Sequence, residues 1–169
     1  MFGLDLFALP GVDLSAAVAA GWLRLNFHVY TTDDCRSLFG FGASAIGRLP
    51  QGFVQNVIGV PGYRRAILAG RLPVVRGIAF SEDDRLRARL IERLMCDLAL
   101  DLDAYAEGDG ADAFAEELAV LAPLAADGLV EIEGARLRVT EAGRPFLRLV
   151  AAAFDAYLGR GGARHSQAV

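Results

Sequence analysis

The side chains able to do redox, nucleophilic or metal chemistry are few and widely spaced in this sequence. Cys35 and Cys96 are the only cysteines, and they form neither a CxxC pair nor a zinc-type spacing. Cys96 falls on a helical pattern, which favours a buried structural thiol. Asp33 and Asp34 precede Cys35 and would raise its pKa, which disfavours the reactive thiolate. The sequence therefore predicts no catalytic residue and no metal ligand.

A glycine-rich stretch is the part of the chain most typical of a ligand site. Residues 40–48 read GFGASAIGR, and residues 54–56 read VQN. Glycines let a backbone pass close to a ligand, and the small neighbouring side chains leave room around it. Gln55 and Asn56 are expected to hold this stretch through hydrogen bonds to its backbone groups. The sequence thus predicts a binding loop without an acid, a base or a metal beside it.

Two candidate binding residues, Ile46 and His28, each have a functional and a purely structural interpretation. Ile46 could line a ligand site, since such sites are largely apolar, or it could be an ordinary core side chain. His28 could donate a proton near neutral pH, or it could be a neutral histidine bonded to a backbone group. The residues themselves leave both alternatives open. His165 lies in a polar, glycine-rich tail, where we expect it to be solvent-exposed and inert.

Composition and charge limit the classes of partner. The 169 residues carry a formal charge of −4, and all 17 basic residues are arginine. A net negative chain has no general attraction for nucleic acid or anionic membranes. No apolar run is long enough to cross a bilayer, and the start MFGLD lacks the basic residues of a signal peptide. We therefore expect a cytoplasmic protein with neither a nucleic-acid nor a membrane partner.

The first half of the chain is predicted to be an incomplete domain. Residues 1–8 are apolar almost throughout, which predicts a strand buried on both faces. A short helix follows up to Gly21, and residues 22–30 again favour an extended strand. From residue 38 to 77 the pattern gives loops and a single short helix at 63–69. Because few strands are available to cover them, we expect residues 1–7 and 39–41 to leave an apolar surface exposed.

The second half has the pattern of a winged helix. Ser81, followed by three acidic residues, predicts the start of a helix. An apolar stripe of leucines at helical spacing then runs from Leu86 to Leu98. A second helix and a short third one beginning at Pro123 are followed by a two-stranded hairpin at 129–139 and a last long helix. The predicted buried side of that last helix is Phe146, Leu149, Val150, Ala153, Phe154 and Tyr157.

A winged helix raises the question of DNA binding, which the charge pattern disfavours. Residues 121–128, which would enter the major groove, contain no Arg, Asn or Gln able to read a base edge. In the hairpin, Glu131 and Glu133 face Arg136 and Arg138, so the wing lacks the excess of cations that phosphate contacts require. We expect this fold to serve packing rather than DNA recognition.

Several motifs lie in order over nearly the whole chain. They are residues 26–32 (NFHVYTT), 40–48, 54–56, 76–77 (RG), 82–85 (EDDR), 91–96 (IERLMC), 121–130 (LAPLAADGLV), 139–144 (VTEAGR) and 154–158 (FDAYL). In these motifs the sequence is similar to the oxygen-independent coproporphyrinogen III oxidases, which are radical S-adenosylmethionine enzymes of haem biosynthesis. The related haem chaperones share the core but lack the first of these motifs, and they are the second choice.

The resemblance implies an α+β fold in which only the last part of the family enzyme is present. Residues 1–76 would be a remnant of the end of a partial (β/α) barrel with its active-site loop. Residues 77–160 would form a mainly helical, winged-helix-like C-terminal domain, and residues 161–169 a flexible tail. In the family, a [4Fe-4S] cluster on a CxxxCxxC-type motif acts with S-adenosylmethionine. Those cysteines are absent from this sequence.

Two positions are carried over from the family as binders of S-adenosylmethionine. The family's isoleucine in the Gly-x-Ser-Ala-Ile loop corresponds to Ile46 and is preserved. The family's Gln-Gly pair appears here as His28 and Val29, and its Asp-His-Phe triplet appears as residues 5–7 (DLF). The departures fall near the chemistry, whereas the packing motifs are kept, which indicates a relaxed demand for catalysis.

Three functions remain open at this stage. The first is a C-terminal fragment of the oxidase, which converts coproporphyrinogen III to protoporphyrinogen IX by oxidative decarboxylation; the fragment would be inactive alone. Its partners would be the porphyrinogen substrate or S-adenosylmethionine if a barrel domain complements it. The second is a non-catalytic module that binds a tetrapyrrole or a nucleoside. The third is a winged-helix regulator, which the charges disfavour.

Overall fold

The structure is a computed structural model that describes residues 7, 9–26, 29–106 and 109–158. It confirms the predicted α+β class, because helices and short antiparallel sheets alternate along the chain. The described helices are α1 (Asp13–Ala19), α2 (Val60–Leu68), α3 (Glu82–Asp97), α4 (Gly110–Ala113), α5 (Ala115–Ala126) and α6 (Leu147–Ala152). The strands are β1 (Arg24–Leu25), β2 (Tyr30–Thr31), β3 (Ile46–Leu49), β4 (Gly52–Asn56), β5 (Val74–Ala79), β6 (Ala99–Asp101), β7 (Val130–Glu133) and β8 (Arg136–Val139).

The chain divides into two compact units. The first unit comprises Met1–Thr32 and Leu86–Val169, and the second is Asp33–Arg85. The division therefore falls inside helix α3, and helix α1 and Leu23 belong with the C-terminal half of the chain. The boundary between residues 76 and 77, which the sequence predicts from the family resemblance, stays a prediction.

The second unit is built on a sheet that the sequence did not predict. Strands β3, β4 and β5 pair antiparallel in that order, where loops were expected, and helix α2 lies between β4 and β5 in the chain. The strands are short and contain Gly47, Gly52 and Gly77, so the alternating pattern of a strand is weak in them. The predicted helix at 63–69 is present as α2.

No large apolar side chain is fully buried in the second unit. Phe39 is 69% exposed and Phe41 is 90% exposed, which confirms the predicted apolar surface at 39–41. The second unit also exposes Ile58, Val60, Ile67, Leu68, Leu72, Val74, Val75 and Ile78. In the first unit, Phe7 is exposed as well. Exposed apolar side chains in this number are typical of a protein interface.

The first unit contains the core. Helices α3, α5 and α6 pack their apolar residues against a three-stranded sheet in the order β6-β8-β7. The largest fully buried side chains of this cluster are Phe154, Leu90, Leu94, Leu102, Leu121, Leu137 and Leu147. A smaller cluster joins Ala17 of α1 and Leu23 to Cys96 of α3. The predicted leucine stripe is thus the centre of this unit.

Helix α3 begins as its sequence predicts. The Ser81 hydroxyl accepts a hydrogen bond from the backbone N–H of Asp84, and the Asp84 carboxylate accepts one from the backbone N–H of Ser81. This reciprocal arrangement satisfies two amide donors at the helix start, and the acids there suit the helix dipole. Two of the four arginines of α3, Arg87 and Arg93, are partly buried. Arg87 pairs with Glu117 at 2.8 Å, and Arg93 donates to the carbonyl of Leu23.

Two predictions about the second half are wrong in detail. The wing has a third strand, because β6 pairs with the outer side of β8. Pro123 does not start a new helix but lies inside α5, which ends before Gly128, the residue whose positive φ turns the chain. Leu121 and Leu124 both pack on the main core, and this packing keeps the helix continuous across the proline.

The predicted long last helix is wrong as well. Residues 140–143 form a turn, a short 3-10 helix follows at Arg144–Phe146, and α6 has only six residues. The Thr140 hydroxyl donates to the carbonyl of Leu129, and a side chain at Gly143 would lie 1.8 Å from that same oxygen. Because this turn packs against Leu129, the α-helix begins only at Leu147, and a different set of its side chains is buried. Leu147, Val150, Ala151 and Phe154 are buried, whereas Phe146, Leu149 and Tyr157 are exposed.

Some predictions fall on residues outside the described ranges. These are the strand at residues 1–8 (except Phe7), His28, and the tail at 161–169 with His165. Among the helices of the described residues, none is both long and apolar enough to cross a membrane.

The corrected register of the last helix can be tested with a pair of leucines two positions apart. Leu147 is fully buried and Leu149 is 49% exposed. We expect Leu147→Ala to lower the free energy of unfolding by about 2–5 kcal/mol, because it leaves a cavity in the core. Leu149→Ala should lower it by less than about 1 kcal/mol. Urea unfolding of both variants measures this, and equal losses would contradict the register.

Candidate functional site

The glycine-rich stretch folds back on itself just before strand β3. Gly42 has a φ of +105° and Ser44 a φ of +62°, so the backbone turns through left-handed conformations twice. A side chain at Gly40 would lie 2.6 Å from the carbonyl oxygen of Ile46. Glycine is therefore required where the two ends of the turn approach each other. We call residues 40–45 the glycine turn.

One buried amide holds the glycine turn together. Asn56, at the end of β4, is the buried polar residue among the described side chains and is 7% exposed. Its Nδ2 group donates to the carbonyl oxygens of Gly40 and Gly42, both at 3.0 Å. Its own backbone N–H donates to the carbonyl of Ala45 at 2.9 Å. The predicted role of Asn56 is confirmed.

Three further hydrogen bonds join the glycine turn to Val57, Gln55 and Tyr63. The backbone N–H of Ser44 donates to the carbonyl of Val57, and Gln55 Nε2 donates to the carbonyl of Ser44 at 3.0 Å. This confirms the prediction for Gln55. The backbone N–H of Gly42 donates to the hydroxyl of Tyr63 at 3.1 Å. Tyr63 was missed by the sequence analysis, because only the packing of α2 brings a residue 21 positions away to the turn.

Ile46 lies at the start of β3, directly after the glycine turn. In the register of the sheet it stands opposite Gln55, which stands opposite Arg76. Directly opposed residues share a face of a sheet, so these three side chains form one row. Arg76 Nε donates to Gln55 Oε1 at 2.6 Å. Sequence reasoning included Arg76 in a family motif but assigned it no role in the site, since the row exists only once three strands are paired.

Ile46 is partly exposed and belongs to neither buried cluster. Its role as a contact for S-adenosylmethionine stays a prediction. His28, the other candidate, lies outside the described residues, and its role stays a prediction too. The structure therefore places one of the two predicted binding residues, at the edge of a turn whose backbone is fixed by side-chain amides.

The two cysteines have the environments that the sequence predicts. Cys35 is exposed, and a hydrogen bond to the Asp33 carboxylate raises the pKa of its thiol. Burial raises the pKa of the Cys96 thiol to about 12. Both thiols are held protonated at neutral pH, which is the unreactive form.

The residues present do not fit an iron-sulfur cluster. A cluster of this kind needs several cysteine thiolates, and the chain has two cysteines, one exposed and one buried. Within the described ranges, no group of three or more His, Cys, Asp or Glu side chains could hold a metal ion. The glycine turn places one apolar side chain, Ile46, beside a backbone that hydrogen bonds hold in one conformation.

The charges of the wing are paired with each other. Arg138 contacts Glu131 at 2.6 Å, and Arg136 lies 3.6 Å from Asp101 of the added strand β6. These arginines are thereby partly neutralised by the wing's own carboxylates. The arrangement agrees with the charge argument against nucleic-acid binding, which stays a prediction.

Comparison with known proteins gives the class first. Residues 80–146 match the family model "HemN C-terminal domain". These residues include the whole of helices α3, α4 and α5 and the whole wing. This chain therefore carries a HemN-type C-terminal domain.

Full-length comparisons extend the match to the second unit. The chain is 46% identical to the oxygen-independent coproporphyrinogen III oxidase of Bradyrhizobium diazoefficiens over 99% of its length, and 43% identical to that of Paracoccus denitrificans over 92%. A solved structure described as coproporphyrinogen III oxidase (HemN) from Escherichia coli, a radical SAM enzyme, matches 92% of this chain with a TM-score of 0.84 and 37% identity. The chain is homologous to the C-terminal part of oxygen-independent coproporphyrinogen III oxidases, and it spans only 38%, 35% and 37% of these proteins, respectively.

The Asn56 amide can be tested with a nearly isosteric change. Asn56→Asp removes the Nδ2 donor and sets a carboxylate against two carbonyl oxygens, so we expect the glycine turn to open. Hydrogen exchange of the Gly42 and Ser44 amides should accelerate about tenfold or more, as two hydrogen bonds are lost. Gln51→Glu is the matched control, because it adds the same charge to an exposed residue beside β4. Unchanged exchange in Asn56→Asp would contradict the role given to the amide.

The thiols can be tested by alkylation. At about pH 8 iodoacetamide should label the exposed Cys35, slowly because its pKa is raised, and should spare the buried Cys96, whose pKa is about 12. A rise to about pH 9.5 should speed the labelling of Cys35 while Cys96 still keeps its proton. Mass spectrometry counts the adducts, and denaturation in urea should expose both sites. Labelling of Cys96 as fast as Cys35 in the native protein would contradict its burial.

Proposed function

We propose that this chain acts as the C-terminal part of an oxygen-independent coproporphyrinogen III oxidase. In that role it supplies the glycine turn, strands β3 to β5 and the HemN-type C-terminal domain. The reaction is the oxidative decarboxylation of two propionate side chains of coproporphyrinogen III, which gives protoporphyrinogen IX. The chain is inactive alone, because the cysteines for a [4Fe-4S] cluster must come from outside these 169 residues.

The observation that carries the proposal is the extent of the match. At 46% identity the similarity runs through 99% of this chain, so it includes the glycine turn as well as the helical domain. The second unit supports the same view. It lacks a fully buried large apolar side chain and exposes apolar side chains around its sheet, as expected of a wall that packs against further structure.

The chain's own residues would bind and orient rather than react. S-adenosylmethionine and the cluster, when bound, supply the radical chemistry that oxidises the substrate. Ile46 would offer an apolar contact to S-adenosylmethionine beside the glycine turn. Asn56 and Tyr63 would keep the turn in one conformation, so that Ile46 is presented at a fixed place.

A second candidate is a non-catalytic module that binds a tetrapyrrole or a nucleoside. It is favoured by the completeness of the hydrogen bonds that hold the glycine turn, since these involve residues of the second unit alone. Such a module would keep the glycine turn and its sheet as part of a binding site but would not catalyse the oxidative decarboxylation. The winged-helix regulator is less favoured, because the arginines of the wing are paired with carboxylates.

A chimera tests the proposal. The C-terminal part of the Bradyrhizobium diazoefficiens enzyme that aligns with this chain is replaced by this chain, and the cluster is reconstituted without oxygen. We expect the chimera to convert coproporphyrinogen III, measured as protoporphyrin fluorescence after oxidation. The 169-residue chain alone should show no conversion.

The control is the same enzyme with its own C-terminal part, expressed and reconstituted in the same way. A folded chimera that holds the cluster but shows no conversion would overturn the proposal and favour the binding module. Conversion by the 169-residue chain alone would contradict the statement that the cluster must be supplied from outside it.

A further inference from the structure

Most basic residues of the second unit lie in a segment that contains no acidic residue, because the acids of this unit are confined to its two ends. Residues 35–81 contain no Asp or Glu, although the whole chain is negative. The arginines in this segment are Arg36, Arg48, Arg64, Arg65, Arg71 and Arg76. An anion approaching the middle of this unit therefore meets no competing carboxylate from the segment that forms its sheet.

Two of these arginines share the face of the sheet that carries Ile46. Arg76 stands in the row of Ile46 and Gln55. The next row on the same face is Arg48 opposite Phe53, with Ile78 on the far strand. Two guanidinium groups thus project from a face whose other members include apolar side chains.

Arg76 is fixed in place but keeps donors to spare. Its Nε bonds to Gln55 Oε1 at 2.6 Å, which leaves the two Nη groups for other acceptors. Within the described part of the chain, no carboxylate pairs with Arg76 or Arg48. Arg48 and Arg76 therefore have no carboxylate partner among the described residues, and the Gln55 amide orients Arg76. An anion-binding site needs cationic groups of this kind.

The spacing of the two arginines suits two separate carboxylates. They lie on β3 and β5, two strand spacings apart, and in adjacent rows of the same face. From ordinary sheet dimensions their Cα atoms are roughly 12 Å apart. Long flexible side chains can close part of this distance or widen it. Either one carboxylate on Arg76 or two on a larger ligand can be accommodated.

We propose that Arg76, assisted by Arg48, is a carboxylate-binding site on the Ile46 face of this sheet. The ligand is an organic carboxylate, because Ile46, Phe53 and the 44% exposed Ile78 supply apolar surface that an inorganic anion would not use. The choice of probes rests on the proposed function. The carboxylate can be the amino-acid end of S-adenosylmethionine or a propionate of the tetrapyrrole.

The test is direct binding to the 169-residue chain by calorimetry and fluorescence titration. The probes are S-adenosylmethionine and coproporphyrin III, the stable oxidised form of the tetrapyrrole. We expect saturable binding of at least one of them, weakened about tenfold or more by Arg76→Gln, since a charge-assisted hydrogen bond is lost. Arg76→Lys should fall between, because it keeps the charge without the planar fork. Arg48→Gln should have a smaller effect than Arg76→Gln.

The matched control is Arg64→Gln, which removes the same charge from an exposed position on α2. It should change the affinity less than twofold. Decarboxylated S-adenosylmethionine and inorganic phosphate are the ligand controls. If the site binds the amino-acid carboxylate, the decarboxylated compound should be insensitive to Arg76→Gln. Circular dichroism and exchange of the Ser44 amide report whether each variant keeps its fold.

Three results would overturn the site. These are equal affinities of wild type and Arg76→Gln, an equal loss in Arg64→Gln, and absence of binding of both probes to the wild-type chain. The activity of the chimera distinguishes a failure of the carboxylate site from a failure of the proposed function. An active chimera whose binding is unaffected by Arg76→Gln would remove the carboxylate site and leave the oxidase assignment intact.

Discussion

The constraint on which the candidate site depends is the burial of a single amide. Asn56 donates from one nitrogen to the carbonyls of Gly40 and Gly42, and its backbone N–H bonds to Ala45. These groups belong to a turn with two left-handed residues, a conformation that would not persist without such support. Because Asn56 ends strand β4, the pairing of the sheet also positions the turn. The place of Ile46 is then determined, since it follows the turn and begins β3.

The two units differ in what stabilises them. The first is held by an apolar core in which Leu90, Leu94 and Phe154 are fully buried. The second relies on strand pairing and on hydrogen bonds, with its large apolar side chains at least partly exposed. A unit with this balance is well suited to form one wall of a larger site, since it has surface left to bury. This physical difference, together with the homology, supports a role for the chain within a larger enzyme.

The charges follow the same division. Several described arginines of the first unit pair with its own carboxylates, as Arg87 with Glu117 and Arg138 with Glu131 show. The acid-free segment of the second unit leaves Arg48 and Arg76 without such partners among the described residues. A substrate or cofactor that carries carboxylates would therefore be drawn to the sheet beside the glycine turn. The same distribution explains why a chain of net charge −4 can still offer a local anion site.

The sequence by itself determined what depends on local pattern or on motifs. The cap at Ser81, the leucine stripe, the wing hairpin, the roles of Gln55 and Asn56 and the family resemblance were all readable in it. Tertiary structure decided what depends on distant contacts. The sheet of β3, β4 and β5 forms only when strands distant in the sequence pair, and this pairing creates the row of Ile46, Gln55 and Arg76. The hydrogen bond to Tyr63 also needs helix α2 to pack beside the glycine turn. The last helix was misread because the turn at 140–143 docks on Leu129, an interaction between distant residues that helical periodicity does not contain.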